Sequence, residues 1–132
     1  MTYHFPRTER LRRKKHIDSL FRHGKRWHGP LLTLYYLPCE QAQGQKHQVL
    51  FAVPKSKIKK AVHRNKIKRR LREAYRHHKH LMTEGQGTLL HLGYVYKGKQ
   101  KRLPTYHTLL QEIKASIEYL NKKNASLKKI IQ

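Results

Sequence analysis

Ala61-Val62-His63-Arg64-Asn65-Lys66-Ile67-Lys68-Arg69-Arg70-Leu71-Arg72-Glu73-Ala74-Tyr75 is the stretch that decides how this chain folds and what it meets. It lies in a run from Lys57 to Arg76 that holds ten Lys or Arg in twenty residues and one acid, Glu73. Within the run Ile67, Leu71, Ala74, Tyr75 and His78 fall at i, i+4, i+7, i+8 and i+11, the stripe of an amphipathic helix. At about 100° per residue the opposite arc collects Asn65, Lys68, Arg69, Arg72 and Arg76, with Arg64 and Lys66 at its edges. One face can pack on a core while the other forms a ridge of cations. Like charges at i, i+4, here Arg64, Lys68, Arg72 and Arg76, cost an isolated helix roughly 0.3 kcal/mol per pair, and a polyanion would relieve that repulsion. A merely solvated face is the alternative, but such faces mix signs and this one hardly does.

The whole chain carries the same bias. Of 132 residues, 31 are Lys or Arg and 7 are Asp or Glu, a formal net charge of +24. Self-repulsion of that size favours a nucleic-acid or anionic-membrane partner. Hydrophobic residues make up 37% of the chain, enough for one modest core, so a single domain over residues 1–132 is expected. Cys39 stands alone, which rules out an intrachain disulfide and fits a reducing cytoplasm. No apolar run approaches the roughly 20 residues that span a bilayer, and the opening Met1-Thr2-Tyr3-His4-Phe5-Pro6-Arg7 lacks a signal peptide's apolar centre. A cytoplasmic protein with no membrane partner is the expectation.

Around the basic stretch the elements follow from periodicity and punctuation. Ile17, Leu20 and Phe21 sit at i, i+3, i+4 ahead of Gly24, predicting a helix from about Lys14 to His23. Gly29-Pro30 marks a turn, and Leu31 to Leu37 has the content of a strand ending at Pro38. A polar loop from Glu40 to Lys46 leads to a second strand, Gln48 to Val53, stopped by Pro54; the two strands read as an antiparallel hairpin with a long loop. Thr88 to Tyr96 is a further strand, preceded by Gly85 and Gly87, with Leu90, Leu92, Tyr94 and Tyr96 as its buried set. Pro104-Thr105 opens a last helix on Leu109, Leu110, Ile113, Ile117 and Leu120, and residues 121–132 read as a frayed basic tail. This order predicts an α+β sandwich with the sheet on one side and the helices on the other.

Catalysis by protein side chains finds little support. Hydrolysis of a phosphodiester with protein-held Mg²⁺ needs clustered carboxylates, yet Asp18 is the sole Asp and six Glu are scattered. His77-His78-Lys79-His80 lacks the spacing of a zinc motif and has cationic neighbours, so surface histidines are the expected reading. Gly85-Gln86-Gly87 is a turn, not a dinucleotide fingerprint. No catalytic residue, metal ligand or small-molecule cofactor is therefore assigned to the protein. What remains is binding: Lys and Arg to phosphates, with Ile17, Phe21, Tyr35 and Tyr36 as candidates to face unpaired bases, or alternatively as core.

Arg64-Asn65-Lys66-Ile67-Lys68-Arg69, continued by Arg72-Glu73-Ala74-Tyr75, resembles the Arg-Asn-Arg signature helix of the protein subunit of bacterial ribonuclease P. Arg10-Leu11 with Ile17-Asp18-Ser19-Leu20-Phe21-Arg22-His23-Gly24 is similar to the family's first helix, Leu32 to Leu37 to its first strand, Lys55 to Ala61 to the approach to its crossover, and Phe5-Pro6-Arg7 to the opening of some members. The resemblance implies a single-domain α/β sandwich, a small mixed sheet packed against helices, with a left-handed βαβ crossover. It implies a subunit that binds the catalytic RNA and assists removal of the 5′ leader from precursor tRNA, with Mg²⁺ held mainly by the RNA. By position, Arg64, Asn65, Lys66, Lys68, Arg69 and Arg72 would contact the catalytic RNA, and Ile17, Phe21 and Tyr35 would line the leader cleft. Four positions depart from the pattern: Lys66 replaces the usual second Arg, Lys59-Lys60 replace a common Gly-Asn, and Ile17 stands at an often aromatic site. The competing expectation is a ribosomal or RNA-chaperone-type protein using the same basic helix.

Overall fold

The computed structural model describes residues 7–39, 47–82, 89–98 and 103–131. Phe5-Pro6, the loop from Glu40 to Lys46, the Gly85 to Gly87 turn and Thr88 lie outside them. Helix α1 (Lys14–His23) has the predicted ends. It stops because the Gly24 N–H donates to the Leu20 carbonyl at 2.8 Å while the chain turns to an extended conformation. A Cβ at Gly24 would collide with that same carbonyl oxygen, so the close return needs glycine.

Four strands follow, β1 (Lys25–His28), β2 (Leu32–Cys39), β3 (Gln48–Ala52) and, after helix α2 (Ala61–His78), β4 (Leu89–Tyr96); helix α3 (Tyr106–Ile131) closes the chain. Their order in the sheet is β1-β2-β4-β3. β2 runs antiparallel to β1 and to β4, with Trp27 opposite Leu34 and Tyr36 opposite Leu92, while β3 runs parallel to β4 with Phe51 opposite Tyr94.

Four expectations are corrected. The Leu31–Leu37 and Gln48–Val53 strands are not a hairpin, because β4 lies between them. Leu-Leu-His-Leu-Gly-Tyr-Val-Tyr is apolar on both faces and takes the position that is covered on both sides. β1 was not anticipated, since Lys-Arg-Trp-His has no apolar alternation and is held as a strand by pairing with β2. β2 runs through Pro38 to Cys39; β1 ends opposite Tyr36, so the missing Pro38 N–H faces the side where β2 has no neighbour. Helices cover both faces of the sheet: α1 packs on one, α2 and α3 on the other. α3 runs from Tyr106 to Ile131, and Asn121 Nδ2 donates to the Leu81 carbonyl at 2.8 Å.

Handedness of the β3-α2-β4 crossover follows from one residue. Val49 packs in the cluster that includes Ile67, Leu71 and Tyr75 of α2, while its carbonyl accepts from the Leu11 N–H (3.0 Å) on the edge away from β4. For an L-residue seen from its side-chain side with the strand running up, the carbonyl points right. β4 therefore lies to the left, and a chain that climbs β3, descends through α2 in front and climbs β4 makes a left-handed crossover. This is the uncommon hand.

The main core lies between the sheet and the α2–α3 pair. Leu32, Leu34, Leu92, Tyr94, Ile67, Leu71, Leu109, Ile113 and Ile117 are fully buried there, each apolar side chain stabilising the fold by about 1.5–3 kcal/mol. Phe51 stacks on Tyr94 with ring centroids 5.7 Å apart and meets Tyr75 edge-on at 5.9 Å. Three buried polar side chains tie the elements together. Ser116 donates to the Ile113 carbonyl and accepts from the Tyr94 hydroxyl at 2.6 Å, and burial pushes the Tyr94 phenol up from its ordinary value. Glu112 accepts from the Leu31 N–H at 3.0 Å through both oxygens, tying α3 to the turn before β2. Glu9 is buried and meets Lys79 Nζ at 2.9 Å, fastening the chain before α1 to the end of α2.

Candidate nucleic-acid interface

Two surfaces collect the residues singled out from the sequence. The first is the outer face of α2. Ile67, Leu71, Ala74 and Tyr75 are buried against the sheet and α3, so the helical period turns Asn65, Lys66, Arg69 and Arg72 into solvent, with Lys68 half-exposed beside them. Arg64 is different. Its Nη1 donates to the Ile58 carbonyl at 3.0 Å and the Lys59 carbonyl at 2.6 Å, so this arm of the guanidinium staples the approach segment to the first turn of the helix. Arg70, which the helical arc did not single out, donates to the Pro104 carbonyl at 2.6 Å and ties α2 to the start of α3. Glu73, the one acid of the run, meets Arg76 at 3.1 Å; at such exposed positions the pair orients the side chains more than it stabilises the fold.

The second surface lies on the opposite face of the sheet. Leu20 is fully buried against Gly93 of β4, where an added Cβ would sit 3.0 Å from Leu20 Cδ2 and 3.5 Å from Phe21 Cζ. Ten residues of α1 cannot cover the sheet, so Ile17 and Phe21, one turn apart, remain half-buried above β2 and β4. Phe21 meets Tyr35 edge to face, with centroids 4.8 Å apart at 68°. Phe21 and Tyr35 thus form a partly open apolar cleft, with Ile17 one turn away on the same side of α1. Tyr36 is not part of it: strand alternation sends it to the main core, where its hydroxyl lies 2.8 Å from that of Tyr119 and burial raises its pKa.

Two neighbours of the cleft escaped sequence reasoning. The Arg26 guanidinium lies over the Tyr35 ring, 5.3 Å from its centroid, a cation–π geometry. Its signal was the β1 register, which places Arg26 opposite Tyr35 and could not be read without the strand. His16 of α1 and the buried His91 of β4 face each other at 5.0 Å, and burial followed by the charge of His16 lowers the His91 pKa below 6.5.

A small mixed sheet with a ridge of exposed cations along α2 and half-open aromatic rings on its far face defines a class: an RNA-binding protein. Residues 5–121 match the family model described as Ribonuclease P. The chain belongs to the ribonuclease P protein family. It is 38% identical over 116 residues to the ribonuclease P protein component of Chlorobium phaeobacteroides, covering 80% of each chain. With that of Chlorobaculum tepidum it shares 35% over 125 residues, 87% of this chain and 81% of the relative. The fold is similar to that of the RNase P protein from Thermotoga maritima, with a TM-score of 0.66 at 20% identity over 84% of this chain and 96% of the other. A Staphylococcus aureus RNase P protein gives 0.64 at 18%, covering 86% and 95%. The chain is a protein component of a ribonucleoprotein endoribonuclease, RNA-binding and part of tRNA processing, and the ribosomal or chaperone alternative is not favoured.

Proposed function

We propose that the α2 ridge holds the catalytic RNA of ribonuclease P and that the α1–sheet cleft holds the unpaired 5′ leader of precursor tRNA, the whole chain acting as one domain. The observation that carries the cleft reading is Phe21 and Tyr35 in edge contact yet half-open, with Arg26 over Tyr35. An unpaired strand can lay bases against such rings and phosphates against the cations nearby. On the ridge, Asn65, Lys66, Lys68, Arg69 and Arg72 contact phosphates, and Arg64 both contacts RNA and holds the approach segment in place. Lys66 supplies charge without the planar fork of an arginine.

A Mg²⁺ ion held by the protein would need clustered carboxylates. Among the described residues no three of His, Cys, Asp or Glu come together to hold an ion. The metal is assigned to the RNA, and the protein contributes by binding and orienting. No described helix is long and apolar enough to cross a membrane, and we place the protein in the cytoplasm, where precursor tRNA is processed.

The test is cleavage of labelled precursor tRNA at low Mg²⁺ by the protein alone, a bacterial ribonuclease P RNA alone, and both together. A cut at the mature 5′ end only in the mixture is expected; no stimulation of a competent RNA would overturn the reading. Arg69→Ala is expected to weaken assembly by about 1–3 kcal/mol, the range of a charge-assisted contact, and an unchanged affinity would remove the ridge from the interface.

A further inference from the structure

The ridge of α2 does not end at its own side chains. Where α3 begins, Tyr106 stands 37% exposed, and among the described residues only Val62 and Leu81 are other large apolar side chains as open. The backbone leading into it is held at two points. Thr105 Oγ accepts from the Thr108 N–H at 3.2 Å, the bond of a helix N-cap, so Tyr106 is the first residue of a capped helix. Two residues earlier the Pro104 carbonyl is clamped by Arg70 of α2. Burial and then Glu73 raise the Tyr106 pKa while Arg76 opposes them. Among the described residues no other ring packs against it.

This corner differs in charge from the rest of the ridge. Glu73 is the one acid in the basic run, and its carboxylate, paired with Arg76, disfavours a phosphate at that spot. A neutral, flat group suits the position, while Arg69 and Arg76 remain as cations for phosphates on either side. Nucleobases meet that description, and an unpaired base has a face free to stack on a tyrosine whose backbone is fixed.

We propose that Tyr106 is a stacking platform for an unpaired nucleobase of the catalytic RNA, extending the α2 ridge onto the first turn of α3. The inference rests on the ridge being the face that binds catalytic RNA. It adds a contact that ordinary phosphate binding does not supply, one that depends on the ring rather than on charge.

Salt dependence separates the two kinds of contact. The full chain is titrated with a bacterial ribonuclease P RNA at several KCl concentrations, comparing the parent with Tyr106→Ala, Tyr106→Phe and Arg69→Ala. Tyr106→Ala is expected to weaken binding roughly tenfold with the slope of log affinity against log salt unchanged, and Tyr106→Phe to stay within about twofold of the parent. Arg69→Ala is expected to reduce that slope by about 1. A Tyr106→Ala protein that binds like the parent, or a loss that Tyr106→Phe shares, overturns the platform. Loss of preference for precursor over mature tRNA in Tyr106→Ala also overturns it, by placing the ring on the substrate. A photoreactive phenylalanine at position 106 decides independently of any change in folding: crosslinks to unpaired nucleotides of the catalytic RNA support the platform, and their absence counts against it. If Arg69→Ala is also silent, the ridge itself is wrong; if it weakens binding while Tyr106→Ala does not, only the platform falls.

Discussion

The two faces of the sheet each carry a tyrosine of β2 and differ in how completely they are covered. On one, α2 and α3 close over Leu34, Tyr36, Leu92, Tyr94 and Tyr96, leaving each at most 7% exposed and giving the Tyr36 and Tyr94 hydroxyls partners on α3. On the other, the ten residues of α1 reach only far enough to bury Leu20, and Ile17, Phe21 and Tyr35 are left half-open. Adjacent tyrosines of β2, Tyr35 and Tyr36, have opposite fates for this reason alone. Full cover gives stability, and partial cover leaves rings open to solvent on a rigid sheet.

Substitutions on the two faces should separate these roles. Leu92→Ala, on the covered face, is expected to cost about 2–5 kcal/mol, the range for a large-to-small change in a packed core, seen as a lowered denaturant midpoint. Gly93→Val, the next residue but on the α1 face, is expected to cost about 1–3 kcal/mol by overpacking, because even a Cβ there meets Leu20 at 3.0 Å. As α1 is pushed off the sheet, preference for precursor over mature tRNA should fall with it. A Gly93→Val protein that keeps both stability and preference would break the link between α1 seating and the cleft. Phe21→Ala should do the reverse of Leu92→Ala, leaving the unfolding midpoint nearer the parent while weakening precursor binding by about 1–3 kcal/mol, measured by titration of the assembled holoenzyme.

The smallest effect is a pH dependence at Glu112. Burial, opposed by the Leu31 and Leu32 N–H groups and Lys97, raises its carboxyl above the ordinary 4.5. A raised acid binds its proton more tightly in the folded chain, so its contribution to stability is greatest at low pH and declines as pH rises from about 4.5 through the raised value. The stability of the parent relative to Glu112→Gln should therefore shrink with rising pH in that window, followed by urea unfolding at fixed ionic strength. A difference that grows with pH would contradict burial as the dominant cause.

What the sequence disclosed divides along the same lines. α1 and the apolar stripe of α2 could be read in full, since a helix records its buried face every three or four residues, as at Ile67, Leu71, Ala74 and Tyr75. Strand order could not, because nothing local in Gln48 to Ala52 says that its neighbour is Leu89 to Tyr96 rather than Leu32 to Cys39. β1 was invisible for a related reason: Lys-Arg-Trp-His becomes a strand through β2, and Arg26 reaches the cleft only through that pairing. Arg64 was legible as a cation but not as a staple, since its carbonyl partners at Ile58 and Lys59 depend on how the approach segment turns. The ridge was thus written in the sequence, whereas the cleft required register.

The most direct test of the central claim is the affinity of the reconstituted holoenzyme for precursor and mature tRNA, measured for the parent and for Phe21→Ala with Tyr35→Ala. The expected result is a clear preference for precursor in the parent that collapses in the double variant while affinity for mature tRNA stays the same. A preference that survives loss of both rings would contradict the assignment of the leader to this cleft.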